Sequence, residues 1–129
     1  MKTIHKLLAV AAILSVTVQP TQADTAQVFN YDTGKRQTIG ISQIERSDLQ
    51  CIARISLWRD SLFTVGADYR STNLAKATAK QDQLFLRYPF TIPTKWIDRE
   101  KAQFLHRIAT MEAQGSQLAW IQAELSKCL

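Results

Sequence analysis

Only two cysteines, Cys51 and Cys128, occur in the 129 residues, and a single residue follows the second. In an oxidising compartment an even number of cysteines pairs, and these two have no other candidate partner. A bond between them closes a loop over most of the chain, worth ~4 kcal/mol when native geometry is unstrained. Any fold must therefore bring the end of the chain back against residue 51.

The opening stretch MKTIHKLLAVAAILSVTVQPTQAD supports that compartment. Lys2 and Lys6 form a short basic region, and the uncharged run Leu7 to Val18 follows. At about 12 residues this run suits a secretory signal and is too short to span a bilayer. Pro20 breaks it, and Thr21 and Ala23 provide small residues for cleavage before Asp24. Residues 1–23 are expected to be a cleaved signal peptide of bacterial type. The expected address is the periplasm, or the medium beyond it. No cysteine lies at the cleavage point, so no lipid anchor is expected, and no later segment reads as a transmembrane helix.

About 106 residues then remain, enough for one small domain. Loss of Lys2 and Lys6 lowers the formal net charge from +5 to about +3, a surplus spread along the chain. Nucleic acid is not an expected partner.

Residues 24–41 read as an N-terminal arm or short hairpin. Val28, Phe29 and Tyr31 precede the turn-like Asp32-Thr33-Gly34-Lys35, and Thr38, Ile39 and Ile41 follow it. Residues 42–129 read as a helical domain. Ile44, Cys51, Ile55, Trp58, Leu62 and Val65 keep a 3–4 spacing, with Leu49, Ile52 and Phe63 on an adjoining stripe. That predicts a first helix, capped at Ser42 or Ser47 and ended by Gly66, that is apolar over more than half its circumference and packed from two sides. A second helix is predicted from Asp68 or Ser71 to Tyr88, with Leu74, Ala77, Gln81, Leu84 and Phe85 on its core side and Lys76, Lys80 and Arg87 opposite. Pro89 and Pro93 forbid its continuation. Thr94 can cap a third helix (Ile97, Phe104, Leu105, Ile108 and Met111 inward), which Gly115 ends. Ser116 can cap a fourth, with Leu118, Ile121, Leu125 and Cys128 inward. The expected fold class is all-α: a small four-helix irregular bundle with a short N-terminal β-hairpin or extended arm and one inter-helix disulfide.

No catalytic set emerges. Asp32-Thr33-Gly34 is the tripeptide of aspartic proteases, but those enzymes need a β-scaffold and a second such aspartate, and here it reads as a turn. His106 is the sole histidine after residue 23, and a metal site needs three or four ligands. Glu45, Asp48, Asp60, Glu100, Glu112 and Glu124 offer carboxylates without any pairing. An enzyme is not expected, and neither is a cofactor or metal.

Four aromatic residues fall outside the helical core pattern: Phe29 and Tyr31 in the arm, Trp96 near the Pro93 loop, and Trp120 on the polar side of the fourth helix. They are the candidate partner-binding residues, because an aromatic group on a polar face is a common interface anchor. The expected function is that of an exported, non-catalytic, protein-binding accessory or chaperone-like subunit of a cell-envelope assembly of the secretion, pilus or conjugation type. The alternative is a periplasmic inhibitor or immunity protein that blocks a cell-wall-directed toxin or hydrolase, with YPFTIPTKW as its protruding loop.

Overall fold

A computed structural model describes residues 24–111 and 114–129. The expected signal peptide at 1–23, and Glu112 among the carboxylates, lie outside the described residues.

Strands β1 (Thr25–Asn30) and β2 (Lys35–Gly40) form an antiparallel hairpin, with Thr25 opposite Gly40 and Asn30 opposite Lys35. Its turn is Tyr31 to Gly34. The Asn30 side-chain oxygen accepts from the backbone N–H groups of Asp32 and Thr33, at 2.9 and 3.1 Å. The Asn30 carbonyl accepts from Gly34 at 2.8 Å. Gly34 has φ +70°, a conformation that costs glycine nothing. Strand alternation sends Ala26, Val28, Asn30 and Ile39 inward and Phe29 outward.

Four helices follow a short 3₁₀ turn: α1 (Arg46–Arg59), α2 (Ala67–Leu86), α3 (Thr94–Ala109) and α4 (Gln114–Ser126). The other three each contact α1. Buried residues on α1 include Leu49, Ile52, Ala53, Ile55, Leu57 and Trp58, so it is covered on nearly every side, as its wide apolar arc predicts.

Two apolar clusters share α1. One joins its N-terminal half to Val28 and Ile39 of the hairpin, Leu84 of α2, and Phe90, Ile92 and Trp96. The other joins its C-terminal half to Val65, Ala77, Ile121, Leu125 and Cys128. Cys51 packs against both clusters and bonds to Cys128, with the Cα atoms 5.6 Å apart. The hairpin thus contributes core residues and is no free arm.

Helix boundaries depart from the sequence reading for local reasons. The apolar spacing continues through Leu62 and Val65, yet α1 stops at Arg59. The Ser61 N–H bonds to the Trp58 carbonyl and the Leu62 N–H to the Leu57 carbonyl, at 2.9 and 3.0 Å. This is a Schellman arrangement with Ser61, at φ 57°, in the position that glycine usually fills. Gly66, at φ 88°, precedes α2 instead of ending α1. Ser47 and Ser116 lie inside helices. The start of α1 is held by tertiary contact instead, since the Glu45 N–H donates to the Tyr88 hydroxyl at 3.0 Å. Gly115 belongs to α4, and Gln117 of α4 donates to the carbonyls of Ile108 and Met111 at the end of α3. Phe85, expected in the core, is 40% exposed.

The left-handed Ser61 gives a first prediction. A residue other than glycine pays ~1 kcal/mol or more for that backbone. Ser61→Gly is expected to raise the unfolding free energy by ~0.5–1 kcal/mol, after the extra chain entropy of glycine is subtracted. A lowered urea midpoint would show that the serine hydroxyl contributes more than the strain costs.

Candidate functional site

Phe29 and Tyr31 project from the outer face of the hairpin, 45% and 62% exposed, with ring centroids 5.7 Å apart in an edge-to-face contact. A T-shaped pair fixes both rings before any partner arrives. The strand beneath them is anchored at both ends. The Tyr31 N–H donates to the Pro89 carbonyl at 2.7 Å, Asn30 forms a β-bridge with Phe90, and the Tyr31 hydroxyl bonds to Thr91. At the far end Lys95 Nζ donates to the Thr25 carbonyl at 2.6 Å, and Arg99 pairs with Asp24 at 3.0 Å.

Pro89 and Pro93 make this anchoring possible. They end α2 and keep residues 90–92 out of helix, so Phe90 and Ile92 turn inward while Thr91 stays at the surface. The loop is therefore no protruding aromatic plug, because its large side chains are in the core. Trp96, the first large residue of α3, is 0% exposed. Its sequence-based assignment to partner binding gives way to a core role: it fills the space under the hairpin, beside Ile92 and Ile44.

The outer edge of β2 has no strand partner among the described residues. Strand geometry alternates, so the outward Tyr31 N–H places Phe29, Gln27 and Thr25 on the outer edge of β1, and Arg36, Thr38 and Gly40 on that of β2. The Gly40 N–H is taken by Gln43 at 3.1 Å. No described strand pairs with the Arg36–Thr38 edge. Arg36 also stands directly opposite Phe29 on the exposed face.

Trp120 is not gathered into this surface. It stacks on Phe104 of α3, with centroids 5.2 Å apart and an interplanar angle of 28°, and the Arg107 guanidinium lies 4.8 Å from its ring centre. Its polar-face position on α4 is explained by α3 lying alongside. It is half-buried and closes the α3–α4 contact; its ring contacts lie in α3 and not in the hairpin.

The most buried carboxylate is held in a structural pair. Buried Asp48 takes both oxygens of its carboxylate to Arg87, at 2.8 and 2.9 Å, and accepts from the Tyr88 hydroxyl at 2.7 Å. This removes Arg87 from the basic ladder with Lys76 and Lys80. Burial, and then the bond to Asp48, hold the Tyr88 phenol above its ordinary value of 10.0. Asp32 lies exposed in the hairpin turn and His106 is exposed on α3. No group of three or more His, Cys, Asp or Glu side chains converges among the described residues. No described helix is long and apolar enough to cross a membrane.

No protein-family model matches the chain, and no curated protein or solved structure matches it. The hairpin surface has a distinct chemistry of its own. It offers two preset aromatic rings, a guanidinium and an unpaired strand edge, which together suit the capture of another polypeptide.

Proposed function

We propose that this chain is an exported, non-catalytic protein-binding subunit that serves a cell-envelope assembly in an accessory or chaperone-like role, and that it engages its partner through the outer face of the hairpin. The observation that carries the reading is the exposed Phe29–Tyr31 pair on a strand tied at both ends to residues 89–99. Exposed aromatic rings on an anchored strand bind with little loss of conformational entropy, and a partner strand can add to the Arg36–Thr38 edge. The disulfide accords with export to an oxidising compartment.

The test uses a photo-crosslinking amino acid in place of Phe29, with the same substitution at the exposed His106 on α3 as the control. In native cells position 29 is expected to give a discrete adduct in the envelope fraction, and position 106 none of that mass. The captured protein, once purified, should bind Phe29→Ala/Tyr31→Ala at least ~10-fold more weakly, equivalent to ~1.4 kcal/mol, at a temperature where both proteins are fully folded. Adducts from both positions alike, or equal affinity of the double variant, would overturn the assignment to the hairpin. A single periplasmic hydrolase as the adduct, inhibited on binding, would replace the accessory role by the inhibitor one.

A further inference from the structure

The 20-residue helix α2 uses one side against α1, through Ala77, Gln81 and Leu84. Beside that side runs a groove along its solvent face, lined by small residues and Leu74. Ala67, Ser71, Ala75 and Ala79 follow one another at intervals of four, forming a single i±4 row. Arg70 stands at one end of the groove and Asp82 at the other. They are 12 positions apart, about 18 Å along the axis, beyond reach of each other. Neither makes an ion pair among the described residues. Phe85 and Leu86, at the end of the same helix, are 40% and 84% exposed.

We propose that this groove receives the same helix of a second copy of the chain, in an antiparallel two-fold pair centred near Lys76. Small residues in i±4 rows let two helices approach to ~8 Å, and interdigitation of such rows sets a crossing angle of about −50°. The two-fold axis brings the Arg70 end of one helix level with the Asp82 end of the other. Arg70 and Asp82 lie on opposite flanks of the groove, so uncrossed helices would keep them apart. A crossing of negative sign shifts each helix end sideways until the Arg70 flank meets the partner's Asp82 flank. The symmetry makes the same pair twice. The charges thus complement a second copy in the hand of crossing that the small-residue row favours. The lining runs from Ala67 to Asp82, about 22 Å of a single helix, and one helix pair crossing at that angle covers far less than the ~800 Å² per partner of a standard interface. The pair is therefore concentration-dependent, and it leaves the hairpin free.

Sedimentation velocity of the purified, oxidised protein tests this, over a range up to ~500 μM at ~50 mM salt. The wild type is expected to move from monomer to dimer across that range, with a Kd that weakens at least ~5-fold at ~500 mM salt. Asp82→Arg and Arg70→Asp should each weaken the dimer ~10-fold or more, since like charges then meet. The Arg70→Asp/Asp82→Arg double variant exchanges the charges within each chain and should return the Kd to within ~3-fold of wild type. Ala75→Arg should abolish the dimer by filling the centre of the row. A monomer at every concentration would leave the groove to some other occupant and overturn the proposal. Failure of the double variant to recover, with the circular dichroism of all variants unchanged, would overturn it equally.

Discussion

Replacing Cys51 and Cys128 together by serine is expected to lower the unfolding free energy by about 4 kcal/mol. The bond joins residues 77 apart in sequence, and the entropy it removes from the unfolded chain grows with the logarithm of that span. Domains of this size are typically stable by only ~5–15 kcal/mol, so much of the margin rests on one bond. The folded state gains as well. Cys128 is buried against Ile121 and Leu125, and Cys51 lies where the two apolar clusters meet. Each single Cys→Ser variant should lose as much as the double variant, to within ~0.5 kcal/mol, because either change opens the loop. Reduction of the wild type should have the same effect. Equilibrium urea unfolding measures all four, and a loss below ~1 kcal/mol for the double variant would mean that the helical core alone holds residues 51 and 128 together.

Arg54→Met is expected to cost about 3 kcal/mol. Arg54 of α1 reaches Glu124 of α4 at 3.0 Å, with both side chains nearly buried at 12% and 13% exposure. Its guanidinium also lies 4.9 Å from the centre of the Phe104 ring, so it forms the first layer of a stack that continues through Trp120 to Arg107. Removing Arg54 leaves the Glu124 carboxylate desolvated, with only Lys127 at 3.2 Å. Lys127 is itself largely exposed, and an exposed partner offsets little. Lys127→Ala should accordingly change stability by less than ~0.5 kcal/mol. Arg54→Met/Glu124→Leu should recover most of the loss, since no buried charge then remains unpaired. Thermal and urea denaturation of the set gives the coupling energy. A loss under ~1 kcal/mol for Arg54→Met, with no coupling to Glu124, would show that solvent screens the pair.

Local features were legible wherever one interaction fixes them. The Asn30–Gly34 turn follows from an Asx-type side chain and a glycine with positive φ, both visible in the sequence. The inward stripe of α1 follows from its spacing. The pairing of Cys51 with Cys128 follows from counting. The aromatic candidates diverged because periodicity describes one element at a time. Trp96 and Trp120 both fall off their own helix's core stripe, yet the hairpin covers the first and α3 flanks the second. Phe29 and Tyr31, on an element with no helical period, stayed exposed.

What the sequence determined by itself was a mostly helical chain with an N-terminal hairpin and one disulfide, because backbone propensity, side-chain period and cysteine number act within a few residues or leave a single choice. Only the tertiary structure decided which surfaces remain uncovered. The exposure of Tyr31 depends on the Pro89 carbonyl and Thr91 holding its strand from one side, nearly 60 residues away in the chain. The end of α1 depends on backbone bonds from Ser61 and Leu62 that override an apolar pattern still running through Val65. The open groove on α2 is what remains once α1 covers its Ala77, Gln81 and Leu84 side. Each of these is settled by which neighbour arrives to exclude water, and that is a property of the packed chain, not of any segment within it.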